Sequence, residues 1–157
     1  MRELIIALLL ATSLGSTWSA DRVEVTYADT EKFADFGDSN WERERNQADF
    51  SAMLQVLAQR LPVSQQLKVK VLDVNLAGEL DWWRVRGDRV RVLRNVTWPV
   101  VEFEYQVLEG GKLVKGDTVR VTDMAYLQSS LFNDKGLTGF GYERRMLDHW
   151  ARKTFGK

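Results

Sequence analysis

The sequence predicts an α+β fold: a mostly antiparallel sheet of four to five strands, with two main amphipathic helices packed on one face. Three observations carry this. Between residues 67 and 122, extended and alternating segments follow one another with short interruptions; the sharpest, Val101-Glu102-Phe103-Glu104-Tyr105-Gln106-Val107, is apolar at every second residue and runs into a Gly110-Gly111 turn. Strict alternation means that one sheet face is wet and the other covered. Two helical stripes supply the cover: Phe50, Met53, Leu54, Leu57 and Leu61 before the sheet region, and Tyr142, Met146, Leu147, Trp150 and Ala151 at the end.

The chain opens Met1-Arg2-Glu3 and continues with an apolar run from Leu4 to Ala11. That run is too short to span a bilayer, which takes about 20 residues, and it suits the core of a secretory signal peptide. Cleavage needs small side chains at the last and third-last positions. A cut after Ala20 puts Trp18 at the third-last place, whereas a cut after Ser19, with Thr17 behind it, fits better. The expected organisation is therefore a signal peptide over residues 1–20, the mature start falling at Ala20 or Asp21, and a single α+β domain over 21–157. Losing Arg2 and Glu3 together leaves the 22 bases and 22 acids of the whole chain balanced. Neutrality argues against nucleic acid as a partner. The chain contains no cysteine, so neither disulfides nor lipid attachment at a cysteine is available. The expected location is the periplasm, or secretion, without a lipid anchor and without a transmembrane segment in the mature chain.

In order, Val23, Val25 and Tyr27 alternate as a first strand. An acidic loop follows over 28–38, with Asp29, Glu31, Asp35 and Asp38; its spacing matches no calcium-loop frame. Ser39-Asn40-Trp41-Glu42 has the form of a capping box, so a helix begins there and stops before Pro62. That helix links two strands and predicts a crossover that makes them parallel. The second strand, 67–76, alternates at first and then becomes apolar on both sides at Leu72, Val74 and Leu76, which predicts passage into a centre covered on both faces. Ala77-Gly78 breaks it. Residues 82–94 hold five arginines, with Gly87-Asp88 placed to turn a small hairpin. Trp98-Pro99 starts the next strand, and Gly110-Gly111 leads into the last, which ends at Thr122. Residues 124–127 suit a short helical turn, and three glycines between 136 and 141 suit a loop before the closing helix.

Four groups of residues, taken together in this order, resemble a known family: Asp73-Val74-Asn75-Leu76-Ala77-Gly78-Glu79; Trp98-Pro99 ahead of Tyr105; Asp123-Met124-x-Tyr126-Leu127; and Tyr142-Glu143-x-Arg145-Met146-Leu147-x-x-Trp150. The chain resembles the exported proteobacterial proteins grouped as domain of unknown function 3016. The resemblance implies an exported single-domain protein of Gram-negative bacteria and brings no activity, cofactor or catalytic residue with it. The segment from Trp82 to Arg89 is less typical of the pattern.

Most chemistries lack their residues. His149 is the lone histidine, its neighbour Asp148 points elsewhere around the helix, and no Gly-x-Ser-x-Gly elbow exists. One histidine and no cysteine leave too few ligands for zinc. Gly111-Lys112 has Gln106 where a phosphate loop needs glycine. No cofactor, no metal and no firm catalytic residue is expected. Asp73 and Glu79, close to Asp81, are the weak catalytic candidates, since two carboxylates about 5 to 9 Å apart serve glycan hydrolysis; otherwise Asp73 and Asn75 satisfy loop backbone and Glu79 is solvated. The binding candidates are Trp82, Trp83, Arg84, Arg86 and Arg89, guanidinium groups and indoles suited to anionic groups or sugars. The plainer expectation is cross-strand pairing of Arg89 and Arg91 with Glu102 and Glu104. The sequence thus points to a non-enzymatic exported protein that binds an envelope protein or an anionic envelope component. The alternative is a small carboxylate-dependent hydrolase acting on envelope glycans. A structural subunit would instead expose an apolar sheet face.

Overall fold

Two parallel strands start the sheet. β1 (Val23–Tyr27) runs beside β2 (Gln65–Asn75), with Val23 against Leu67 and Tyr27 against Val71. Helix α1 (Asn40–Leu57) makes the crossover between them. The computed structural model describes residues 22–83, 88–128 and 139–156. β5 (Val100–Glu109) pairs antiparallel with β2, and β6 (Lys112–Thr122) pairs antiparallel with β5, giving the order β1-β2-β5-β6. β3 (Glu79–Trp83) and β4 (Asp88–Val92) form a separate two-stranded sheet. Helix α2 (Gly141–Phe155) closes the chain. The predicted α+β architecture, mostly antiparallel with two helices, is the observed one.

Local chemistry explains the boundaries. Ser39 Oγ accepts the Glu42 amide at 3.2 Å while Glu42 Oε2 accepts the Ser39 amide at 3.0 Å, so the capping box forms and starts α1. At the far end one nitrogen of the Arg22 guanidinium donates to the carbonyls of Ala58, Leu61 and Pro62 at 3.0–3.2 Å, placing a cation at the carboxyl end of α1 and its terminal 3-10 turn, where it complements the helix dipole. Gly78, at φ +82°, links β2 to β3. A Cβ there would stand 2.7 Å from the Val92 carbonyl oxygen, so both conformation and space require glycine.

The core lies between one sheet face and the two helices. Leu67, Val69, Val71, Phe103, Tyr105 and Val107 from the strands meet Phe50, Leu54, Leu57, Met146, Leu147 and Ala151 from the helices. Each valine, leucine, phenylalanine or methionine among them, fully buried, contributes roughly 1.5–3 kcal/mol of transfer free energy. The Tyr27 hydroxyl bonds the Gln47 carbonyl at 3.0 Å and Ser51 Oγ at 2.8 Å; burial pushes its pKa up to about 12 against the Ser51 bond. The opposite sheet face is polar, with Glu24, Lys68, Lys70, Glu104 and Gln106 exposed and Lys68 paired to Glu24 at 2.7 Å. No apolar face awaiting a subunit is present on this sheet among the described residues.

Two expectations need correction. The apolar run at the end of the second strand does not mark a centre covered on both faces. The register of β2 against β5 shifts between Val71 and Asp73, a bulge at Leu72 that returns Val74 to the same buried side as Val71. The pairing of Arg89 and Arg91 with Glu102 and Glu104 does not occur either. β4 pairs with β3 and never joins the main sheet, where Glu102 stands between Asp73 and Arg120, and Glu104 between Lys70 and Thr118.

Candidate functional site

The β3–β4 hairpin is fastened to the acidic loop by charge. Arg91 donates to both carboxylate oxygens of Asp35, at 2.6 and 3.2 Å, and its guanidinium also reaches the carbonyls of Ala77 and Gly78 at 3.4 and 3.3 Å. Arg89 pairs with Asp38, and Arg94 holds Glu79 at 2.9 Å together with Asp81. The three described arginines of this stretch therefore have carboxylate partners within the chain. Arg84 and Arg86 lie outside the described residues. Trp83 closes β3 opposite Asp88 in the ladder, and Trp82 stands in β3 opposite Arg89. Trp82 is 71% exposed, with the Arg89 guanidinium 5.9 Å from its ring centre.

The weak catalytic candidates have structural partners. Asp73 Oδ1 accepts the Ala34 amide at 2.8 Å, fixing the acidic loop along the end of β2, where Asp35 donates its amide to the Val74 carbonyl at 2.9 Å. Glu79 sits in the Arg94 pair. His149 is exposed, and Asp148 turns away from it to Arg60 and Arg152. Burial works against the Asp148 carboxylate, yet the two arginines outweigh it and leave its pKa below the ordinary value. Among the described residues no group of three or more metal-ligating side chains occurs.

Between the hairpin, the start of α1 and the start of α2 lies a cleft of about 560 Å³. Leu76, Leu80 and Leu93 give it an apolar wall, and Arg91 lines it with them. Across from them are Trp41 and Asp49 of α1, with Phe140 and Tyr142 at the third side. Trp41 is 66% exposed and carries the Arg45 guanidinium 5.7 Å from its ring centre. Two indoles, each beside an arginine, thus mark the cleft and its hairpin. The described lining includes neither Asp73 nor Glu79.

Glu143 is the unusual group in this lining. It is the third residue of α2, where a carboxylate complements the unpaired amides and the helix dipole. Only 3% of it is exposed, and its Oε1 accepts the Ala77 amide at 2.7 Å. Burial raises its pKa; the Ala77 amide, its own amide and the nearby Arg91 pull the other way without cancelling the shift. A buried carboxyl group that holds its proton more strongly than usual, at the wall of a cleft, can stay neutral or ionise according to what lies beside it.

The segments 73–79, 123–127 and 142–150 all fall within the stretch that a family match covers. Residues 21–153 match the family described as protein of unknown function (DUF3016). The chain belongs to the DUF3016 family. Comparison with curated proteins and with solved structures finds no match. The DUF3016 segment with Glu143 meets the DUF3016 segment with Ala77 through the 2.7 Å bond, so two stretches 66 positions apart build one wall of the cleft. Sequence reasoning assigned no role to Glu143, Trp41 or Phe140. The available signal was local: Glu143 occupies the third position of a helix with no side-chain cap of its own, where an acid is expected for the dipole alone. Nothing in the order of residues tells that the same acid is buried.

Proposed function

We propose that this DUF3016 protein is an exported, periplasmic or secreted binding protein whose ligand site is the cleft together with the Trp82 indole of the hairpin. The family match starts at residue 21, immediately after the expected signal peptide, which supports export. The observation that carries the binding reading is the pair of exposed indoles, Trp41 at the cleft and Trp82 on its hairpin. Exposed aromatic rings carry apolar surface at a site where nothing in the fold requires it. The ligand is an envelope component. Because Arg89, Arg91 and Arg94 already face carboxylates, recognition rests on ring stacking and on Arg84 and Arg86 more than on a large unbalanced charge.

Co-sedimentation of the purified protein with isolated peptidoglycan sacculi, and separately with vesicles containing phosphatidylglycerol, tests this. Trp41→Ala and Trp82→Ala should each abolish co-sedimentation while leaving Tm nearly unchanged, and Arg84→Ala with Arg86→Ala should weaken it. Full retention in both tryptophan variants overturns the site, and no sedimentation of the unaltered protein with either material overturns the ligand class.

A second reading, a carboxylate-dependent hydrolase of envelope glycans, draws support from Glu143, whose raised pKa and place in the cleft suit a general acid better than Asp73 or Glu79 do. It requires release of reducing ends from sacculi, lost in Glu143→Gln.

A further inference from the structure

β6 is the outer strand of the main sheet, and its free edge faces away from β5 for 11 residues. Among the described residues nothing pairs with that edge. Its irregularity is confined to the turn end, where the register shifts between Val107 and Leu108; beyond it the strand is regular and contains no proline. Such an edge offers a row of backbone donors and acceptors to another extended chain.

Beside this edge a groove of about 740 Å³ runs between β6 and α2. Its floor is apolar, with Val119 and Val121 from the strand and Met146 and Trp150 from the helix; the two valines face the helix layer but are only partly buried. Two tethers bound it. Lys115 Nζ donates to the Thr154 carbonyl at 2.7 Å, and Arg145 bonds Asp123 at 3.3 Å. Their order makes α2 run antiparallel to β6.

The helix side of the groove carries two cations, Arg145 and Lys153, with the one histidine of the chain between them. Arg145, His149 and Lys153 recur at four-residue steps, one line along α2 on the side of β6. Four helical residues rise about 6 Å. Two strand residues advance about 6.6 Å. The two repeats nearly coincide, so a strand added to β6 would bring each successive inward side chain opposite one of these three groups. Among the described residues Asp123 is the single carboxylate of the groove lining, in a protein whose total charge is zero.

We propose that the β6 edge with its groove is a docking site for an extended acidic peptide segment of a partner protein, a segment with carboxylates at alternate residues that pairs with β6 as a further strand. The ladder bonds hold the backbone, and the carboxylates meet His149 and Lys153, while Arg145 stays in its bonds to Asp123 and to the Tyr126 carbonyl at 2.6 Å. This site is separate from the cleft and does not depend on the ligand proposed there.

The probe is a short blocked peptide alternating glutamate and valine, titrated into the ¹⁵N-labelled protein, with an analogue N-methylated at alternate amides as the backbone control. Amide shifts should concentrate between residues 113 and 122 and at the Trp150 indole, Lys153→Glu should weaken binding on the order of tenfold, and the methylated analogue should fail to bind. Shifts confined to other elements, or none, overturn the proposal. So does unchanged affinity in Lys153→Glu, or equal binding of the methylated analogue, which would reduce the contact to charge alone. Sedimentation showing a dimer with protected β6 amides would make a second copy of this chain the occupant and likewise overturn it.

Discussion

Glu143 shows how far one residue can depart from what its position in the sequence suggests. At the third place of α2 it does ordinary dipole work, yet its carboxylate lies inside and carries the Ala77 amide. A folded-state pKa above the unfolded value means that the native state binds a proton first as pH falls. Its contribution to stability is then complete below the unfolded carboxylate value of about 4.3 and is lost as pH rises through the raised folded value. Glu143→Gln keeps an acceptor for Ala77 without the charge, so the variant should lack this slope and be at least as stable as the parent near neutral pH, measured by urea denaturation at several pH values. Glu143→Ala leaves the Ala77 amide unsatisfied and should lose about 1–3 kcal/mol. Asp148 produces the opposite slope in a lower window, since its depressed pKa gives stability that is lost as pH falls below the ordinary carboxylate range.

At the scale of elements, what local rules govern was legible and what distant partners govern was not. Ser39 and Glu42 announce α1 because both ends of the capping box lie within four residues. The alternation from Val101 to Val107 announces β5, and Gly110-Gly111 its turn, because a strand's period is two wherever it stands. The bulge at Leu72 was hidden, since an extra residue in a strand reads as a run apolar on both sides. The partners of the hairpin arginines were hidden as well. Arg91 is 56 positions from Asp35, and the choice of that carboxylate over Glu102 depends on the β3–β4 hairpin standing apart from the main sheet. If that bidentate pair fixes the hairpin, a double-mutant cycle on Asp35→Ala and Arg91→Ala should give a coupling of about 1–3 kcal/mol, with the second substitution costing little once the first is made. Purely additive losses would mean that the hairpin is held by other contacts.

For the whole molecule, the sequence was informative about architecture and much less so about the site. Balanced charge and the absence of cysteine leave an apolar core as the source of stability, and the core found between sheet and helices uses the residues of both stripes. The cleft arises only where the starts of two helices meet a hairpin, a coincidence of three segments that no single stretch encodes. The proposed export is directly checked: protein recovered from the periplasm or medium should begin at Ala20 or Asp21 by intact mass, and recovery of the uncut chain would remove the signal-peptide reading. The main body and the cleft wall also answer differently to ionic strength. Apolar burial holds the sheet to its helices and strengthens in excluded salts such as sulfate, whereas the Arg89–Asp38 and Arg91–Asp35 contacts are partly open to solvent and weaken as the Debye length shrinks to about 3 Å at 1 M. Sulfate at high concentration should therefore strengthen the body while weakening these two pairs, so the surrounding electrolyte, outside the fold altogether, is expected to act on how firmly the hairpin is held at the cleft.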